Sequence, residues 1–439
     1  MKRTLSSFFV FILLAVGLVS CGGSSKAPTT SGLTYRVFVS NPLNPTITGS
    51  SFPALDIADA GHDVLSPFSV SLSGATPSAG MMVETPQRNR TIVFSPSTSS
   101  SPNNVLGVVD NASETASGSV ALPGATESMF AASDNKTVYA AIPAAPQIGL
   151  PAGAVVRIDI SASTPTINAS IPIPGAHYLI PSPDGNILLA VSDTANSVSV
   201  ISLGLLSNGA GVTTITGFDR PAWAVFSSDG TTAYVMNCGP QCGGTTASIA
   251  VVDMTQNPPV ISSTVPIAAA TTGMISGGTL YVAGTPLTSG VDCQANLCGV
   301  LTALSAADLT ATPTTFAIPD GYHDHMVMAQ NNQLFIGSRT CTNVAASSST
   351  PARGCLSVLN TADGFIYTAA QNGDVTGIQP IEGRSVVYVC EGGALQIYDT
   401  NFDLGNRKAL ALQSTQITIT GQAIDVKLAD FPNGNLNTK

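Results

Sequence analysis

One stretch limits the possible folds more than any other: Pro183-Asp184-Gly185-Asn186-Ile187-Leu188-Leu189-Ala190-Val191-Ser192. Pro fixes φ and Gly accepts φ > 0, so Pro-Asp-Gly makes a tight turn. Ile187 to Val191 is a short apolar run suited to a strand buried on both faces. Asp193 to Ser197 reads as a polar loop. Val198 and Val200 then alternate with Ser197 and Ser199, the two-residue period of a second strand. This turn–strand–loop–strand unit returns about every fifty residues, and a period of that length points to a propeller.

Residues 182–203, SPDGNILLAVSDTANSVSVISL, resemble the YVTN-type β-propeller repeat in their Ser-Pro-Asp-Gly turn and Val-x-Val-Ile ending. The resemblance implies a ring of four-stranded antiparallel blades, and it extends over about Tyr35 to Asp430. Eight second strands are expected, at Tyr35–Ser40, Thr91–Ser95, Thr137–Ile142, Ile187–Ser192, Thr232–Asn237, Thr279–Ala283, Gln333–Ser338 and Ser385–Cys390. Each precedes an alternating third strand. Inner strands are expected at Ser128–Ala132, Tyr178–Ser182, Trp223–Ser227 and His325–Ala329. The first unit lacks an inner strand, and Gln422–Lys427 reads as an inner strand with no second strand after it. The C-terminal strand should therefore complete the N-terminal blade, close the ring and remove two exposed edges. The expected fold is all-β, a single propeller of eight blades, with seven as the alternative count.

The start of the chain is an address. Lys2 and Arg3 precede a short apolar run from Phe8 to Val19, the layout of a secretory leader. Leu18-Val19-Ser20-Cys21 resembles the bacterial lipobox, which implies cleavage before Cys21 and acylation of its thiol, here with palmitate among the expected lipids. Gly22 in place of Asp points to the outer membrane by analogy with the Gram-negative sorting rule. The expected layout is a signal peptide over 1–20, a lipidated Cys and flexible tether over 21–34, the propeller over 35–430 and a tail over 431–439. The lipid would be the only membrane attachment.

Of the eight cysteines, all but Cys21 lie between residues 238 and 390. An exported chain meets an oxidising compartment, so disulfides are expected. Cys238–Cys242, Cys293–Cys298 and Cys341–Cys355 each pair most simply within one loop between second and third strands. Cys390 is left over, either a buried thiol at a strand end or the partner of a neighbouring unit's cysteine. The spacings lack a paired Cys-x2-Cys with nearby His, so no zinc site is expected.

The net charge is −10, with only 10% charged residues and no basic stripe, which excludes nucleic acid as a partner. No nucleophile elbow, phosphate loop or haem motif occurs, so no cofactor is expected. Aligning the turns places Glu127, His177, Ala222 and Asp324 at matching starts of inner strands, around one mouth of the central channel. Arg220, His323 and His325 are neighbours. Strict alternation would point His323 and His325 the same way, opposite Asp324. A wet, polar channel mouth without function is the plain reading of these residues. A ligand site for an unknown protein or small molecule is the sharper one. Two functions follow: a lipid-anchored envelope scaffold that binds through its disulfide-clamped loop face, or a lactonase-like hydrolase using the polar mouth, the latter implied by a lactone-cleaving propeller family similar to these repeats.

Overall fold

A computed structural model describes residues 30–45, 50–72, 76, 78–99, 102–208, 211–287, 289–401 and 417–433. The leader, Cys21, most of the tether and the end of the tail lie outside the described residues.

The Ser-Pro-Asp-Gly turns show why the unit folds locally. Asp184 Oδ1 accepts hydrogen bonds from the Ser182 hydroxyl at 2.6 Å and the Asn186 amide at 3.1 Å, while Ser182 Oγ accepts one from the Ile187 amide at 2.9 Å. Gly185 sits at φ 69°, the left-handed region that favours glycine. The next unit repeats this with Ser227, Asp229 and Gly230. Where the motif has drifted, Asn135 takes the left-handed position at φ 56°, a conformation that Asn tolerates better than most residues. Turn geometry thus survives the loss of Gly.

Each turn launches the middle strands of a blade. Among the described residues eight antiparallel sheets follow one another, seven of four strands and one of three. Their inner strands are Asp425–Leu428, Met82–Glu84, Ser128–Ala131, Tyr178–Pro181, Pro221–Phe226, Thr272–Ser276, Tyr322–Met328 and Val375–Pro380, for blades 1 to 8. Each inner strand touches that of the next blade all the way round. The blade count is eight, not seven. Blade 8 shows three strands, with Ile417 bridging to Leu395 where an outer strand belongs.

Closure follows the expected route. Asp425–Leu428 pairs antiparallel with Arg36–Pro45, aligning Val37 with Leu428 and Ser40 with Asp425. Blade 1 therefore joins both ends of the chain. Middle strands such as Thr137–Ile142 are buried throughout, whereas the outer strand Thr166–Pro172 alternates exposed and half-buried residues. The core sits between blades: Ile92 and Leu106 of blade 2 pack against Val138 and Val156 of blade 3, all fully buried. Burying such a side chain stabilises the fold by roughly 1.5–3 kcal/mol.

Candidate functional site

Inner strands begin at one face of the ring, and that face carries the chemistry. In blades 4, 5 and 7 the register aligns Tyr178 with Val191, Trp223 with Met236 and His325 with Gly337, so these three rings occupy equivalent places. All three line a cavity of about 510 Å³ at the channel mouth. Met129, Leu179 and Met81 add apolar wall, and Asp425 and Lys427 of the closing strand form a pair at 2.8 Å on its side.

Charged side chains converge over this cavity from blades 3, 4 and 7. Glu127, just before the inner strand of blade 3, lies 3.4 Å from His177 Nε2 and 3.6 Å from Arg339 of blade 7. Blades 3 and 7 are opposite in an eight-bladed ring, so the Glu127–Arg339 pair spans the mouth. Each cation also holds a carboxylate of its own blade. His177 Nδ1 faces Asp193 at 3.5 Å, and Arg339 Nε donates to Asp324 Oδ2 at 2.6 Å. The other oxygen of Asp324 meets His325 Nδ1 at 2.6 Å. His177 stacks on Tyr178, whose centroid is 4.2 Å away, and Tyr178 packs edge-on against Trp223.

Burial alone would lower the His177 pKa. The hydrogen bonds and charges of Asp193 and Glu127 outweigh it and push the pKa up to about 9. His177 is therefore a cation at neutral pH, unsuited to act as a base. In return the Glu127 carboxyl is lowered, mainly by its bond to His177. For Asp193, burial opposes ionisation, but His177 wins and the pKa falls. Burial raises the phenol pKa values of Tyr178 and Tyr322, so both stay neutral donors.

Two expected members of the mouth do not line the cavity. His323 is buried, with Nε2 3.1 Å from the Pro319 carbonyl, and burial lowers its pKa to about 4. A register shift between His323 and His325 breaks the alternation, so Asp324 and His325 both reach the cavity while His323 packs inside the blade. Arg220 adopts φ 55°, its amide donates to Asn196 Oδ1 at 2.9 Å, and it stands outside the cavity lining. The sequence reading had no place for Asp193 and Arg339. Asp193 follows the strand end at Ser192, and Arg339 ends its own strand at the equivalent place, one residue after Ser338.

The same face bears a disulfide crown. Cys238–Cys242, Cys293–Cys298 and Cys341–Cys355 close loops between second and third strands of blades 5, 6 and 7. Cys390 is a buried free thiol whose pKa burial pushes up. Polar contacts tie the crown together. Gln241 donates to the Gly321 carbonyl at 2.9 Å and accepts from the Thr285 amide at 2.8 Å. Arg353 donates to the carbonyls of Cys293, Gln294 and Asn296. Among the described residues no group of three or more His, Cys, Asp or Glu side chains is arranged to hold a metal ion.

No family model matches the chain, and no curated protein matches it. Solved structures do. The dihydro-haem d1 dehydrogenase NirN aligns at 12% identity and TM-score 0.58, over 93% of this chain and 77% of that one. The periplasmic gluconolactonase of Pseudomonas aeruginosa aligns at 14% and 0.50, over 90% and 98%. The hydrazine synthase of Kuenenia stuttgartiensis aligns at 14% and 0.50, over 72% and 94%. These are likenesses of fold. A propeller of this kind hosts many chemistries, and function has to be argued from the site.

Proposed function

We propose that this chain is a lipid-anchored propeller of the cell envelope, built from YVTN-type repeats, that captures a small solute at its channel mouth inside the disulfide-clamped crown. The observation that carries the reading is the charge bridge from Glu127 to His177 and Arg339, standing over a cavity walled by Trp223 and Tyr178. Structural ion pairs need no cavity. A concave, largely apolar space with a few convergent polar groups is the usual form of a ligand site. The crown holds the rim in shape, so little ordering is needed on binding.

The lipobox at Cys21 supports the anchor, and three disulfides suit an oxidising compartment. Gly22 after the Cys, rather than Asp, favours an outer-membrane anchor by analogy with the Gram-negative sorting rule. A thiol titration tests the lipid: denatured, unreduced mature protein should show a single free thiol, Cys390, because acylation consumes that of Cys21. A second thiol would overturn the anchor.

A second reading, lactone hydrolysis, is favoured by one contact. His325 Nδ1 meets Asp324, which Arg339 holds in place, so Nε2 is the ring nitrogen not bonded to the carboxylate. Such a dyad can activate water. A thermal-shift and Trp223-fluorescence screen of organic acids, sugars and lactones against the full chain separates the readings. Binding without turnover supports capture. Lactone opening above the spontaneous rate, lost in His325→Asn with binding retained, would establish the hydrolase instead.

A further inference from the structure

Glu127 differs from Asp324, the carboxylate that shares Arg339 with it. Asp324 touches Arg339 and His325 at 2.6 Å, and its side chain is 10% exposed. Glu127 stands 53% exposed, shared between His177 at 3.4 Å and Arg339 at 3.6 Å, and gripped closely by neither. Its backbone is fixed: Thr126 Oγ1 bonds the Ser128 carbonyl and accepts from the Ser128 amide, and Ser128 Oγ accepts from the Leu179 amide of blade 4. Only the side chain is free to leave. If it swings out, His177 keeps Asp193 and Arg339 keeps Asp324, so neither cation is stranded.

We propose that Glu127 is an internal stand-in for the carboxylate of a ligand, and that the mouth takes an organic acid whose compact apolar or aromatic body fills the cavity. The inference rests on the capture reading above and names its ligand class. Exchange of one carboxylate for another conserves charge at the two cations. The wall decides the rest of the ligand: Met81, Met129, Leu179, Tyr178 and Trp223 offer an apolar and aromatic surface to the body of the acid. An inorganic anion would leave that surface wet, and an organic cation put in the seat of the Glu127 carboxylate would face Arg339 and His177.

The test compares 3-phenylpropanoate with its neutral amide, 3-phenylpropanamide, on the full chain by calorimetry at neutral pH. The acid should bind, and the amide more weakly. Glu127→Gln removes the competitor while keeping the shape, so it should tighten the acid about tenfold, the worth of one charge-assisted hydrogen bond, and leave the amide unchanged. Glu127→Ala should tighten it likewise, which guards against a local effect of the new amide. Arg339→Gln should weaken the acid about tenfold without changing the amide. If Glu127→Gln and Glu127→Ala leave the acid's affinity unchanged or lower it, the stand-in is wrong although the mouth still binds. If neither acid nor amide binds at millimolar concentration, while each variant keeps the wild-type melting temperature, the capture reading falls with it.

Discussion

The two faces of the ring are held by different means. On the mouth face, blades 5 to 7 carry three disulfides, each within one loop, with sequence separations of 4, 5 and 14. On the opposite face, where inner strands end, blades 8, 1 and 2 are joined by ion pairs that are distant in sequence, the Arg36 cluster buried and the others partly so. Arg36 donates to Glu114 at 2.8 Å and to Asp430 at 2.7 Å, and all three side chains are less than a fifth exposed. Arg384 of blade 8 pairs with Asp63 of blade 1, which also accepts from the Tyr388 hydroxyl. Arg88 of blade 2 reaches Glu382 of blade 8 and lies over the Phe431 ring. A staple within a loop restrains the rim but cannot hold the ring shut. The closing strand has only four aligned residue pairs with its neighbour, so its seam takes further non-local contacts.

The seam should therefore be the sensitive region. Arg36→Met leaves Glu114 and Asp430 buried without their cation, and breaking a buried pair from one side costs about 3–5 kcal/mol. Urea unfolding followed by far-UV circular dichroism should show that loss, and Arg36→Met with Glu114→Gln and Asp430→Asn should recover part of it, since coupled sites are not additive. A loss no larger than the roughly 0.5 kcal/mol of an ordinary surface change would remove the distinction between the faces.

Reduction probes the other side. In the chain-entropy account each short staple is worth about 2–3 kcal/mol, and only to the extent that its loop opens. Dithiothreitol should raise hydrogen exchange in segments 239–247, 289–298 and 341–354 and leave the strand pairs of blade 1 protected. Arg353 and Gln241 should limit the spread between loops. Loss of protection at Arg36–Pro45 on reduction would show that the crown, too, holds the ring closed.

The contrast also explains what could be read from the sequence. Turn chemistry and two-residue alternation are local, so strands such as Ile187–Ser192 and Thr232–Asn237 are found where the residues place them. The closing strand was legible from bookkeeping, since one unit lacked an inner strand and one inner strand lacked a unit. Pairing of Cys238 with Cys242 and of Cys293 with Cys298 follows from reach, and that of Cys341 with Cys355 from their sharing one loop. The mouth was legible only in part, because its contacts join residues far apart in the chain. Glu127, His177, Asp324 and His325 do line or border it, but Arg339 looks like any Arg at a strand end until the ring brings blade 7 opposite blade 3. His323 was misplaced because alternation assumes a regular ladder, and the ladder shifts at Asp324.

The smallest expected effect is a pH dependence confined to the mouth. A group whose pKa is raised by folding stabilises fully below its unfolded value and loses that contribution as pH rises through the folded value. For His177 the window runs from about 6.5 to about 9. The two carboxylates act in the opposite sense: Glu127 and Asp193 are lowered, so their share is present above the ordinary carboxylate range and fades as pH falls through their depressed values. Screening at the exposed side of Glu127 reduces the His177 contribution to about 1–2 kcal/mol. Other groups titrate at alkaline pH, so the measurement is the difference in urea midpoint between the wild type and His177→Gln. That gap should be widest near pH 6 and nearly closed by pH 10. In the seam Arg36 is pushed further up by its carboxylates, after burial has opposed them, so it keeps its charge over the same range. A gap that stays constant with pH would mean that His177 acts by packing on Tyr178 and not by its charge, and Glu127 would then lose one of the two cations that make its seat attractive to an acid.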